Sequence, residues 1–213
     1  MAELSKTVEH IIQELKAREK AQDKLLVLVR ELVRGCSIAI KCIHSKDMEE
    51  AERQMREVER LVKEARSLDK GFENITAIAY QEYCEAKLLL ALIARRKLPG
   101  YEELGVPFEI YLLGLCDVVG ELRREMLEEM KRNDSRRAEY YFERMNEIYE
   151  AMLPIRFSNS LLPQFRKKQD VARTQVEHAR SELLHHIQTT RATRTTRTTR
   201  ATRKTTKTKK RRR

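Results

Sequence analysis

Four carboxylates sit in stretches that look apolar enough to be buried. Glu82 and Glu85 lie three residues apart within AYQEYCEAKLLLALIA, residues 79–94, and Asp117 and Glu121 lie four apart within PFEIYLLGLCDVVGELRREM, residues 107–126. Both spacings place side chains on one face of a helix. An ionised carboxylate buried without a partner costs several kcal/mol, and a second one beside it adds repulsion. Such a group must protonate, pair with a cationic side chain or hold a cation. Oxygen-only donors favour Mg²⁺, with Mn²⁺ as the other choice, over Zn²⁺. Carboxylate-held metal is the usual apparatus of phosphoryl transfer. The plainer alternative is a pair of solvated helix faces, where acids at these spacings are common.

Other chemistries find less support. A ferritin-like di-iron bundle needs Glu-x-x-His on two helices, and only Glu182 with His185 has that spacing. The lone His10, His44, His178 and His186 form no catalytic set. The cysteines, Cys36, Cys42, Cys84 and Cys116, fall inside helical patterns and are expected to be reduced core thiols; their spacing matches no usual zinc signature. There is no phosphate-binding glycine loop, nucleophile elbow or helix-turn-helix signature.

The elements that carry the acids are helical. The chain has 213 residues with only six Gly and four Pro, and its β-branched and aromatic residues form no alternating runs. Apolar positions at helical spacing (Val8, Ile11, Ile12, Leu15, then Leu25, Leu28, Val29, Leu32, Val33) predict a long first helix over 3–44, with a break near Gly35. Asp47 with Glu50 reads as a capping box for a second helix to about Leu68. A third is predicted from Phe72 to Lys97, and a fourth from Pro107 to Arg132 after the link KLPGYEELGVP. NDS at 133–135 caps a fifth, ending near Leu153. FSNS opens a sixth, kinked or restarted at Pro163 and running to about Ile187. The expected fold is all-α, a bundle of six or seven antiparallel helices formed by residues 1–188.

Folding the third and fourth helices back on each other about Pro99–Gly105 sets the acids at matched heights. Glu85 and Asp117 share a midpoint of 101, Glu82 and Glu121 one of 101.5. Height is fixed by this spacing; azimuth is not. Gly114 and Gly120 inside the fourth helix each weaken it by up to ~1 kcal/mol relative to Ala, which points to close approach of a neighbouring backbone.

The net charge of +11 is unevenly placed. Residues 189–213, TTRATRTTRTTRATRKTTKTKKRRR, hold 12 Lys and Arg and no acid, leaving 32 basic against 33 acidic residues in 1–188. With no apolar side chain larger than Ala, this low-complexity tail is expected to be disordered. Tails of this kind neutralise phosphates; a solubility tail is the equal alternative. The polar start MAELSKTVEH and the absence of a ~20-residue apolar run predict a cytoplasmic protein without a membrane span.

The stretches that carry the acids resemble the translin superfamily. Gln81, Glu82, Tyr83, Glu85 and Ala86, followed by Tyr111, Leu112, Leu113, Gly114, Asp117, Gly120, Glu121 and Leu122, are similar to the two motifs of its translin-associated factor X branch, in the same order. The resemblance covers roughly residues 15–188. It implies a translin-like helical fold and a Mg²⁺-dependent endoribonuclease acting on single-stranded or small structured RNA inside an oligomeric shell. It assigns the catalytic and metal-binding roles to Glu82, Glu85, Asp117 and, less firmly, Glu121. It implies octameric assembly, here from one self-assembling chain because the polar insertion of animal members between the motifs is missing; a translin-like partner chain is the other arrangement. Arg124 matches an arginine of the motif and, with Lys131, Arg132, Arg136 and Arg137, forms a candidate RNA-backbone patch, against which stands an ordinary charged turn. The alternative function is a non-catalytic, translin-like oligomer that binds single-stranded RNA or DNA. A helical scaffold for protein partners is a third class.

Overall fold

The computed structural model describes the backbone of residues 2–210 and the side chains of residues 2–190. Among the described residues there are seven helices and no strand: α1 (Ala2–His44), α2 (Met48–Arg66), α3 (Glu73–Ile93), α4 (Tyr101–Leu104), α5 (Phe108–Lys131), α6 (Ser135–Met152) and α7 (Phe165–Lys210). The all-α expectation holds. None of these helices is long and apolar enough to cross a membrane.

Local chemistry sets most of the boundaries. The Asp47 carboxylate accepts from the Glu50 backbone N–H at 3.2 Å and starts α2. The reciprocal half of the expected box is replaced: the Glu50 carboxylate turns to Arg53 and Gln54, and the Asp47 N–H goes to the Cys42 carbonyl. Asp134 caps α6 in the same way, accepting from Arg137 N–H at 3.0 Å. Helix α3 stops at Ile93, short of Lys97, because Arg95 takes a left-handed φ of 55° and the Arg96 N–H closes back on the Ala91 carbonyl.

Four expectations are corrected. The first helix is not broken at Gly35. A Cβ there would lie 2.7 Å from Val58 Cγ2, so this glycine admits α2 against α1 rather than ending a helix. The Lys97–Pro107 link contains the short α4, and FSNS opens no helix. Residues 157–164 form turns; Gln164 adopts φ 65° and donates its N–H to Asn159 Oδ1, and α7 begins at Phe165. Helix α7 extends to Lys210, past Ile187; of the tail expected to be disordered over 189–213, the side chains from residue 191 on and the backbone of 211–213 lie outside the described residues.

Two compact units are present, divided inside α5 and inside α7. The first comprises Met1–Val118 with Phe157–Lys168. Here α1 packs on α2 and α3, and Leu25, Leu32, Ile43, Met55, Leu88 and Leu89 are fully buried. The second comprises Val119–Arg156 with the chain from Gln169. Its interior holds Leu122, Met126, Met145 and Met152, and Arg123 ties α5 to α7 through Glu182 and through Gln175 at 3.1 Å.

Candidate functional site

The site is built where α3 and α5 touch in the first unit. Gly114 is the point of contact: a Cβ there would meet Cys84 Cβ at 2.6 Å, with the Gln81 carbonyl and the Glu85 amide both at 3.3 Å. The close approach expected from the glycines is real at Gly114. At Gly120 nothing lies within 4 Å, so that glycine has another reason or none. The helices run antiparallel, since residues 84 and 81 on α3 meet 114 and 117 on α5 in reverse order.

The register differs from the one that the midpoints predict. Gln81 Nε2 donates to Asp117 Oδ2 at 2.6 Å, so the residue level with Asp117 is one helical turn before Glu85. The midpoint estimate assumes a symmetric hairpin, whereas the link contains a turn of α4 that takes up chain unequally on the two sides. Gln81 and Glu85 are four residues apart, so Glu85 shares the α3 face that Gln81 presents to Asp117.

Asp117 has a second partner that the motifs do not name. Lys168 Nζ stands 2.5 and 2.6 Å from its two oxygens. Both side chains are about one quarter exposed, at 26% and 25%. The turns of residues 157–164 and the anchoring of buried Phe165 set the first turn of α7 in place and bring Lys168 to α5. A sequence signal for Lys168 existed: no acid stands three or four residues from it on its own helix, so its partner had to be tertiary. Gln81 belongs to the quoted motif, but its role as a ligand of Asp117 was not legible.

Glu82 and Glu85 are half-buried. Their charges reach Cys36 on α1, whose thiol is pushed well above its ordinary value, first by burial and then by these two carboxylates. Cys84 and Cys116 are also buried and pushed up to about 12, chiefly by burial. All four cysteines are free thiols. The first unit thus gathers two carboxylates beside a protonated thiol, and a third on the facing helix held by an ammonium. Glu121 belongs to the second unit, where its carboxylate lies 3.8 Å from Arg124.

The oxygen donors suit a hard cation. Among the described residues, however, no three Asp, Glu, His or Cys side chains stand together as a metal-ligating group. The cation at Asp117 in this conformation is Lys168.

The five basic candidates lie in the second unit and are exposed. Lys131 pairs with Glu128 at 2.9 Å, and Arg132 and Arg137 converge on Glu129 at 3.0 and 3.9 Å. Four of the five therefore face acids of their own unit, while Arg136 is exposed. Buried Glu125 and Glu129, at 0% and 1% exposure, escape a reading that looks only for acids in apolar stretches, since their surroundings LRREMLEEMKR look charged.

The Translin family model matches residues 2–185, and the chain belongs to that family. An uncharacterised protein of the archaeon Methanocaldococcus jannaschii is 32% identical over 183 residues, covering 84% of this chain and 82% of that one. Among solved structures, AfC3PO in complex with duplex RNA superimposes with a TM-score of 0.78 at 29% identity, covering 84% of this chain and 96% of that chain. A crystal structure of AfC3PO gives the same TM-score at 30% identity, with the same coverage. Apo-NeC3PO, at 22% identity and TM-score 0.78, shares the fold.

Proposed function

We propose that this chain is a metal-dependent endoribonuclease that cleaves single-stranded or small structured RNA inside a homo-oligomeric helical shell, an octamer in size. The observation that carries the reading is the α3–α5 contact, which sets the Glu82 and Glu85 helix against Asp117 with Gln81 bonded to its carboxylate. Kinship with AfC3PO, which was solved with duplex RNA, supports RNA as the substrate class. Glu82, Glu85 and Asp117 would hold Mg²⁺, with Mn²⁺ as a substitute. When bound, the cation supplies the charge that stabilises the attacking and leaving oxygens of phosphoryl transfer. Lys168 orients Asp117 until a divalent cation competes for it, and Gln81 holds the same carboxylate from the other helix. Glu121 enters the reading through the family motif alone.

Cleavage of labelled single-stranded RNA is expected with Mg²⁺, and not with EDTA or with Asp117→Asn. Equal cleavage by the variant, or cleavage without metal, rules out this site. The second reading, a non-catalytic RNA- or DNA-binding oligomer, is favoured by the Lys168 ion pair, which already satisfies Asp117. RNA retention without cleavage in either metal selects it.

A further inference from the structure

Helix α1 carries an apolar seam interrupted at Gln22 and Arg18, and only the part from Leu25 on is buried within the fold. Leu25, Val29, Leu32, Cys36, Ala39 and Ile43 recur at alternating spacings of four and three. All are fully buried except Val29, which is half-buried. Counting back in the same rhythm gives Gln22, Arg18, Leu15, Ile11, Val8 and Leu4. Ile12 and Leu15 border the hollow beside Phe72, and Arg18 sits over the Phe72 ring at 5.7 Å. Beyond Arg18, Leu15, Ile11, Val8 and Leu4 are 57%, 47%, 46% and 61% exposed, with Ile12 beside them at 44%.

An alternating four-three seam is the pattern by which one helix packs along another. A contiguous exposed apolar stripe of this size marks an interaction surface. The spacing is self-complementary. Set antiparallel about a point between His10 and Glu9, Leu4 meets Leu15 of a second copy and Val8 meets its Ile11, with the same contacts repeated by symmetry. That is the arrangement an isologous two-fold interface requires. A parallel pair is disfavoured by charge: with Val8 and Leu15 at one core position and Leu4 and Ile11 at the other, Glu14 of each helix would flank Glu19 of its neighbour. In the antiparallel pair Glu14 flanks Thr7, and Ile12 lies beside Ser5.

We infer that the first four turns of α1 form an antiparallel, two-fold helix pair with α1 of a second copy, through Leu4, Val8, Ile11 and Leu15. The inference rests on the self-association in the proposed function and is independent of cleavage.

The test uses the full chain. Light scattering is expected to show an oligomer for the unaltered protein and a particle of roughly half the mass, or smaller, for Ile11→Glu, with unchanged helical content by circular dichroism. An unaltered protein that is monomeric overturns both the assembly and this pairing. An oligomer whose mass is unmoved by Ile11→Glu overturns the pairing alone. Orientation is read by oxidative cross-linking. The combined variant Val8→Cys with Ile11→Cys is expected to give an inter-copy disulfide above the level of the unaltered chain, and neither single variant is. Efficient cross-linking by Val8→Cys alone indicates a parallel pair and overturns the antiparallel assignment.

Discussion

Glu82 with Glu85 on α3 and Glu125 with Glu129 on α5 are nearly the same pattern, two glutamates about one helical turn apart, yet the two units treat them differently. The α3 pair is half-buried in an apolar stretch, on a helix that meets α5 through Gln81 and Asp117. The α5 pair is almost completely buried in a stretch that looks charged, and Glu129 is closed off by Arg132 and Arg137 from the rim. Depth of burial alone therefore does not separate a candidate site carboxylate from a structural one. The deeper glutamate is neutralised by arginines whose own exposures are 48% and 58%, which makes it a structural tie. The shallower pair keeps access to solvent, which a site that binds and releases a ligand needs.

The largest expected effect breaks this contrast on the side of stability. Arg132→Ala combined with Arg137→Ala should lower unfolding stability in urea by about 3 kcal/mol, because a buried carboxylate loses its counter-charges. A loss under about 1 kcal/mol would show that Glu129 is held by other groups. The two α5 glycines come next. Gly114→Ala should cost about 1–3 kcal/mol, since the new methyl meets Cys84 and the α3 backbone. Gly120→Ala should gain about 0.5–1 kcal/mol from helix propensity, because nothing lies within 4 Å. Thermal or urea unfolding of the two variants gives opposite signs if the α3–α5 contact is as described.

A smaller stability effect sharpens the functional half. Lys168→Met should change unfolding by no more than about 1 kcal/mol, because both members of its ion pair are partly solvated. The same change should tighten Mg²⁺ binding measured by calorimetry, since it removes the ammonium that competes for Asp117. Weaker Mg²⁺ binding in this variant would count against a metal role for Asp117. Smallest at neutral pH is Tyr141→Phe. Burial first, and then the charges of Glu125 and Glu129, push the Tyr141 hydroxyl up to about 12. A phenol whose folded value lies above its unfolded value of about 10 contributes stability below pH 10 that is lost as pH rises toward 12. The variant should lose less stability than the unaltered chain across that alkaline window, as read by urea unfolding at stepped pH.

Most of the helical boundaries were legible because their causes are local. Asp47 and Asp134 cap from fixed offsets, and Pro107 stands just ahead of α5. The misreadings were places where a local rule met a distant partner. Gly35 looked like a break and instead admits Val58; FSNS looked like a helix start and instead turns through Asn159 and Gln164. The apolar rhythm of α1 was readable from Val8 to Val33, but nothing in it told which part would be covered.

What the sequence determined by itself is the set of helices, the family, and the acids on the helices that meet. Periodicity and capping act within a few residues, so they survive without knowledge of the rest of the chain. The tertiary structure alone decided that Asp117 lies level with Gln81, that Lys168 from α7 closes on it, and which glutamate pair goes under. Those outcomes depend on the path of the links and on the register of helix against helix. A shift of one turn leaves every local preference satisfied while exchanging the partners of the side chains that pair between helices.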